Sequence, residues 1–521
     1  MIQRVTVNVT LFLTVLVGIG QPMTASGFEP TPTHPGLTAP AMLASKLHTA
    51  LRSWGWQLGL FETLRLDPGE LSRRDFNRLR RDLLRLDPAG GYAPNAEQRL
   101  RAAGWTMAGS VLAQRPASLN RNHFYCPALR AGLDDPVPFV GTLLGLLAVI
   151  DGADTVRELF TGTGFDLTGK PAPEWVLSGD SPWSVNTFHQ ALATSVSAPT
   201  LRKRQHHLAM ALLSLGAVLH VLQDMASPTH VRNDFRVGHL QQLGSTFLNR
   251  GSVFERYVSR RFGQFGIPRY RGKPIQRNRT RDFFTNKSWS GLADITTVHH
   301  FSPGTVPPPI QVLHDADPDE LRRRLQGKLQ LAKPALGPID FACLRRQARC
   351  HIKGPHGPQL AFSIDRDHRL SFFLDGRCHF AAARHLLPLA IGFSTGLINH
   401  LIRARIALKD NSEGLELLNN GVAISSGRAR IFVEDKGGNR RPLQTIKLGL
   451  PAEPGASLAR FRPILPASAH ALVVLLVGQD RLGEPLVAAT RHVLTGNTGK
   501  TDEPSSGPGK DDADDADDVD E

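Results

Sequence analysis

The sequence predicts a mainly α-helical body followed by a small all-β sandwich. Apolar residues recur at helical spacing through most of the first 408 positions, and after Asp410 the pattern changes to short runs separated by turn residues. A hydrophobic content of 41% over 521 residues is enough to bury at least one large core and excludes a disordered chain. Gly (48) and Pro (37) together make up about a sixth of the chain, against an average of roughly 12%, so long loops are expected. No repeat of fixed period is visible, which argues against a solenoid.

The N-terminus places Arg4 before an apolar run from Val5 to Gly20, with Ala25, Ser26 and Gly27 after it. That order of charge, apolar run and small residues is the pattern of a secretory signal peptide over residues 1–27. Asn8 and Thr10 leave the run short of the roughly 18 clean residues that a membrane span needs. It is the only stretch read as span-like, so the expectation is a secreted or periplasmic protein with no integral membrane segment once the signal is removed. Cleavage after Gly27 makes Phe28 the first mature residue.

Residues 28–408 read as the helical domain. Leu43, Leu47 and Leu51 mark a helix over 39–62, and further helical patterns lie near 94–108, 139–160, 203–226, 252–262, 317–332 and 379–408. Gly, Pro, Ser and Asn interrupt the periodicity over 160–200 and 265–315, which read as loops. The segment 333–378 reads as an elaboration with extended structure around Leu360 to Phe373. It contains Cys343 and Cys350, close enough to pair in one loop. Four cysteines in 521 residues make no disulfide framework, and the absence of a C-x-x-C argues against a Cys-type zinc site.

The β-module is expected over 409–497. Arg430 to Glu434, a turn at Lys436 to Asn439, and Leu443 to Leu448 give a strand, turn, strand signature; Leu472 to Val477 and Leu486 to Thr490, joined through Gly478 and Gly483, give a second. No acid, base or nucleophile constellation falls in it, so it reads as an accessory module. Residues 498–521 read as a disordered acidic tail, in which ten acids from Asp502 to Glu521 face Lys510. The formal net charge of +14 therefore understates how basic the rest of the chain is. A basic body suits phosphate-bearing partners, and equally a solvated surface.

Chemistry concentrates between His206 and Asp234. An Ala/Leu-rich helix ends in His220-Val221-Leu222-Gln223-Asp224, where His220 and Asp224, four apart, share one face. Pro228 turns the chain and brings His230 back from beyond the helix end. Two imidazoles and a carboxylate at this spacing are zinc-ligand types. Spacing alone also fits a satisfied core histidine or a cap. Two further histidines stand in distinctive contexts: His123 in Asn122-His123-Phe124-Tyr125-Cys126-Pro127, and His34 in Thr33-His34-Pro35 before the first helix.

In this order, these four motifs, spanning about Phe28 to Glu255, resemble the zinc-dependent phospholipase C family of bacteria and the related fungal single-strand nucleases, helical enzymes with a three-zinc site. A weaker match covers Leu386 to Arg405, and none reaches the β-module or the tail. The resemblance implies that His123, His220 and Asp224 hold a first zinc. Asp224 would bridge to a second, held by His34 and by the amino group and carbonyl of Phe28, and is the candidate catalytic residue. His230 and Glu255 would serve the remaining zinc. It implies an exported zinc-dependent phosphodiester hydrolase in which metal-bound hydroxide attacks phosphorus, acting on phospholipid, with possible peripheral membrane contact, or on single-stranded nucleic acid. The Asn-His-Phe-Tyr loop favours phospholipid.

Three departures bear on activity. Aligning Gly104 to Gly109 with the family's upstream Asp leaves Gly109 where that carboxylate belongs; Gly251 stands where a His would precede Glu255, and only His239 is a possible substitute; Cys126 replaces a loop Asp. They support the alternative of a catalytically degenerate member, with fewer than three zincs, that serves as a surface-binding or interaction protein. Trp289 and Asp294 read as packing residues or the edge of a cleft. His299, His300, His379 and His400 have no partner at a defensible spacing, and Arg322 to Arg324 read as a solvated helix face.

Overall fold

The computed structural model describes residues 32–67, 73–86, 99–113, 117–133, 168–234, 252–262, 273–311, 340, 342–343, 349–364, 369–412 and 414–494. The expected signal segment, Phe28, His239, Gly251, the helices expected at 139–160 and 317–332 with Arg322 to Arg324, and the acidic tail lie outside them.

The helix that organises the body is α7 (Leu201–Asp224), which matches the helical pattern read over 203–226. Thr200 caps it by accepting from the Lys203 amide at 3.3 Å, and its first turn carries exposed Arg202 and Lys203. From Ala211 to Asp224 every residue is buried, as expected of a helix that is apolar all round. It packs on α4 (Ala102–Leu112), α6 (Val185–Ser197) and α11 (Gly376–Leu401), and α1 (Thr33–Leu43) lies against the same core. Both α7 and α11 have the length and hydropathy of a membrane span, but their apolar windows are 83% and 78% buried inside the protein. The N-terminal run is therefore not alone in having span-like composition, and these two helices are core elements.

The contact between α4 and α7 is glycine-dependent. A Cβ on Gly109 of α4 would stand 2.0 Å from the Leu213 carbonyl oxygen, and one on Gly216 of α7 would stand 1.9 Å from that of Thr106. Glycine costs a helix interior about 1 kcal/mol relative to alanine, and here the backbone approach requires it. Gly109 therefore faces α7 at a position that admits no side chain.

Several expected boundaries are corrected. The helix expected over 39–62 is two, α1 and α2 (Leu47–Ser53). Between them the Ser45 hydroxyl donates to the Met42 carbonyl and the Lys46 amide donates to Asn399, so local polar groups are satisfied without helix. In the 94–108 segment, Arg99–Arg101 is strand β2, paired antiparallel with β1 (Thr63–Arg65), and α4 begins only at Ala102. The 160–200 segment is not all loop: α5 (Ala172–Leu177) and α6 lie in it, and α6 is capped by Ser184 with Val185, Phe188, Leu192 and Val196 buried on one face. Residues 265–315 likewise hold α9 (Thr280–Phe284) and α10 (Leu292–His299), after α8 (Val253–Arg261). Helix α11 stops at Leu401, not 408, because the chain is committed to a strand from Ile406.

Four strands form an antiparallel sheet in the order β3 (Ile310–Gln311), β6 (Arg369–Phe373), β5 (Gly357–Ile364), β4 (Cys350–Gly354), over a small core of Phe301, Ile352, Leu360, Phe362 and Leu370. Cys343 and Cys350 form a disulfide, whereas Cys126 and Cys378 are free and buried.

After α11 comes the β-sandwich. One sheet runs β10 (Arg440–Ile446), β9 (Ser426–Glu434), β12 (Ala471–Gln479), β13 (Pro485–Val493); the other runs β11 (Ser457–Phe461), β8 (Gly414–Asn419), β7 (Ile406–Asn411). Both strand pairs expected from the sequence are present; β7, β8 and β11 were not anticipated. The unbroken apolar run of β12 has a reason. Leu472, Val474 and Leu476 point into the sandwich, while Val473 and Leu475 join the helical core with Phe432, Val487 and Ala489. Glu434 completes the junction, accepting from Arg440 and Arg491 at 2.8 Å each, with the Arg204 guanidinium of α7 at 3.8 Å.

Substituting Gly216→Ala forces the α4 and α7 backbones apart, and we expect a loss of about 3 kcal/mol. A urea melt with an unchanged midpoint would contradict the close crossing.

Candidate metal centre

The C-terminal turn of α7 carries His220, Gln223 and Asp224, all fully buried. The first turn of α1 brings His34 to them; His34 lies within the helix rather than before it, and Pro35, lacking an amide proton, is tolerated in a first turn. The 3-10 turn Ala117–His123 supplies His123, and the turn His230–Arg232, reached after Pro228, supplies His230. Helix α8 supplies Glu255. Six of the seven expected ligands are thus brought together; the seventh, Phe28, lies outside the described residues.

Asp224 is the hub. Its Oδ2 lies 2.9 Å from His123 Nδ1 and 3.2 Å from His220 Nε2, while Oδ1 lies 3.3 Å from His34 Nε2. The ligand atoms of His34, His220 and Asp224 all lie within 4.8 Å of one another. The rings are packed tightly, with His34 stacked on His220 at 3.6 Å between centroids.

Acceptor-only partners set the tautomers. His220 Nδ1 donates to the Ser110 carbonyl at 2.6 Å, His34 Nδ1 to Gln223 Oε1 at 2.9 Å, and His230 Nδ1 to the His123 carbonyl at 2.9 Å. Ser110 lies in the last turn of α4, so its carbonyl is one that helix geometry leaves open. With their Nδ1 atoms engaged, His34 and His220 turn Nε2 toward the Asp224 carboxylate. Lone pairs facing a carboxylate repel unless a proton or a cation lies between them. Among the described residues, Asp224 Oδ1 and His123 Nε2 have no hydrogen-bond partner although both atoms are buried. The donor set of imidazole and carboxylate is that of zinc, and these orphaned atoms show that the residues fit such an ion.

Titration follows the same logic. Burial, then the neighbouring His34, pushes His220 down to about 3, and burial lowers His123, so both rings are neutral. Burial opposes the charge on Asp224, but His220 and His230 hold its carboxyl well below the usual range. Burial likewise opposes the charge on His230, and Asp224 and Glu255 override it, raising the ring to about 9. Phe124 stacks on the His230 ring at 4.3 Å and 4°.

His230 and Glu255 form a separate group. Glu255 Oε1 lies 3.3 Å from His230 Nε2 and accepts from the Ser227 hydroxyl at 2.5 Å, and Oε2 accepts from the Ser252 amide at 2.7 Å. The last contact closes a capping box at the start of α8, so Glu255 also has a structural task. Sequence reading missed Gln223 and the Ser110 carbonyl. A polar residue between His220 and Asp224 on an apolar helix was the available signal for Gln223; a carbonyl leaves none.

The remaining candidates fall elsewhere. Asp294 is buried as the cap of α10, accepting from the Gly291 and Asn286 amides and from Thr285, while Trp289 is 46% exposed and is not a packing residue. His400 lies 3.5 Å from Glu484, and His379 is buried beside Phe254 and Tyr257. The group of His351, Asp375 and Cys378 is committed to capping α11: Asp375 accepts from the Arg377 and Cys378 amides and from His351, and burial pushes the Cys378 thiol up to about 12.

No protein-family model matches the chain, and no curated protein matches it. Among solved structures it is similar to Clostridium perfringens alpha-toxin from an avian strain, at 11% identity and a TM-score of 0.27, covering 90% of this chain and 99% of that one. It is also similar to the alpha toxin of Clostridium absonum, at 11% identity and a TM-score of 0.25, covering 90% and 94%. Superpositions this loose transfer no residue roles.

Gln223→Leu keeps the volume but removes the acceptor that orients His34. Zinc affinity, measured by chelator competition, is expected to fall 10- to 100-fold, as about that much follows loss of a ligand's orienting partner. An unchanged affinity would remove His34 from the ligand set.

Proposed function

We propose that this protein is an exported, zinc-dependent phosphodiester hydrolase of phospholipase C type, with Asp224 at its centre. The observation that carries this reading is the division of the Asp224 oxygens, Oδ2 toward His123 and His220 and Oδ1 toward His34. A carboxylate so placed serves two neighbouring cations at once, and paired cations suit in-line displacement at phosphorus. When bound, zinc supplies Lewis-acid charge and lowers the pKa of water.

The chain's own residues do the rest. Gln223 and the Ser110 carbonyl orient His34 and His220 so that Nε2 of each faces Asp224, and the His123 carbonyl accepts from His230 Nδ1. His123, His220 and Asp224 would hold one ion, His34 and Asp224 another together with the mature N-terminus at Phe28, and His230 with Glu255 any third. The amine of Phe28 becomes a ligand only after residues 1–27 are removed, which ties loading to export. Phosphatidylcholine-type lipid is the preferred substrate and single-stranded nucleic acid the alternative.

A second reading has its own observation. Gly109, where the resemblance calls for a carboxylate, faces the α7 backbone with no room for any side chain. A degenerate centre that keeps one or two ions and binds without turnover is consistent with that.

The test is zinc content per chain on exported protein, together with phosphocholine release from phosphatidylcholine vesicles and cleavage of single-stranded DNA. Hydrolysis of lipid, abolished with metal loss in Asp224→Ala, is expected. Cleavage of DNA alone would assign the nuclease alternative. Bound zinc with no turnover on either substrate would establish the degenerate reading instead.

A further inference from the structure

Four histidines outside this centre converge from three separate elements. His299 and His300 end α10, His356 sits in the turn between β4 and β5, and His385 lies on α11. His300 Nε2 is 2.9 Å from His385 Nδ1, and the His356 ring stacks on His385 with centroids 3.4 Å apart and planes 12° apart. His299 stands edge-on to His356 at 4.8 Å and to His385 at 5.7 Å.

The electrostatics of this group are unusual for a protein surface. Burial pushes all four rings down, neighbouring histidines add to it for His299, His300 and His385, which falls to about 3, and Arg232 acts on His300. No carboxylate contributes. Neutral imidazoles therefore stand together; His300 Nε2 and His385 Nδ1 share one hydrogen bond, whereas the buried His299 Nδ1 has no hydrogen-bond partner among the described residues. Exposure rises across the group from buried His300 through His299 and His385 to exposed His356, which opens the cluster to solvent.

We propose that His299, His300, His356 and His385 form a second metal site, open to solvent and separate from the Asp224 centre, for one divalent transition-metal ion of the zinc and nickel class. Neutral imidazole suits these ions and not calcium or magnesium. Two nitrogens bound to one tetrahedral zinc at about 2.0–2.1 Å lie roughly 3.3 Å apart, close to the present separation of the His300 and His385 nitrogens. Because His356 lies face to face on His385, one of these rings turns about its side-chain torsions to complete the set. The bound ion joins α10, the β4–β5 turn and α11, elements with no other covalent link among the described residues.

The test is equilibrium dialysis of the full-length exported protein against Zn2+ alone and Ni2+ alone, counting ions per chain. Wild type is expected to hold one ion more than His356→Ala combined with His385→Gln, and Asp224→Ala is expected to retain that ion while losing those of the main centre. His356→Ala alone, at an exposed turn position, should keep the circular dichroism spectrum and weaken the extra ion at least tenfold. Equal ion counts in wild type and the double variant overturn the proposal. So does a result in which the cluster changes only the pH dependence of melting, which would make it a proton site.

Discussion

The approach of α4 to α7 through Gly109 and Gly216 is the constraint on which the rest of the body depends. Two helix backbones in contact cannot slide or splay without exposing the residues that surround them, and α7 is buried on all sides from Ala211 onward. The crossing also sets the chemistry. It places the open carbonyl of Ser110 at 2.6 Å from His220 Nδ1, so the packing of one helix determines which nitrogen of an imidazole on the other faces Asp224. The glycine that a family-based alignment marks as a lost ligand is, on this structure, the residue that makes the contact possible.

Around that contact, a buried carboxylate is surrounded by imidazoles, two of which, His34 and His220, turn Nδ1 away from it to other acceptors. Isolated burial of Asp224 would be costly, and the protein offsets it with His230, whose ring is raised, while His123 and His220 stay neutral. The result is an interior poised between two ways of balancing charge, a protonated histidine or a bound cation. Phe124 stacked against His230 and the capping box at Ser252 fix the outer part of the same group.

The sequence disclosed the helical body, the sandwich hairpins, the Cys343–Cys350 pairing and the shared face of His220 and Asp224, because each is written in local spacing. It did not disclose α5, α6, α9 and α10, whose short periodic runs lie among Gly and Pro. Strand β7 was hidden because its residues continue the apolar pattern of α11. His34 and His123 became ligand candidates only through resemblance, since nothing near them in the chain names their partner. The His299, His300, His356 and His385 group was illegible for the same reason: its members come from three segments, and each alone looks like an isolated histidine. Gln223 was visible but unassigned, and the Ser110 carbonyl could not be read from side chains at all.

Helix α7 touches the β-sandwich at one end and the Asp224 centre at the other. Arg204 reaches toward Glu434, and His220 and Asp224 stand 16 and 20 residues further along, about 24 and 30 Å away at the rise of an α-helix. Because β12 is buried on both faces, the sandwich is seated on the body through Val473 and Leu475 and does not hang from a tether. In mechanical terms α7 is a strut that runs from the sandwich junction to the Asp224 cluster. The two ends of one helix cannot be repositioned independently, so the seating of the sandwich and the placing of His220 and Asp224 are a single geometric problem.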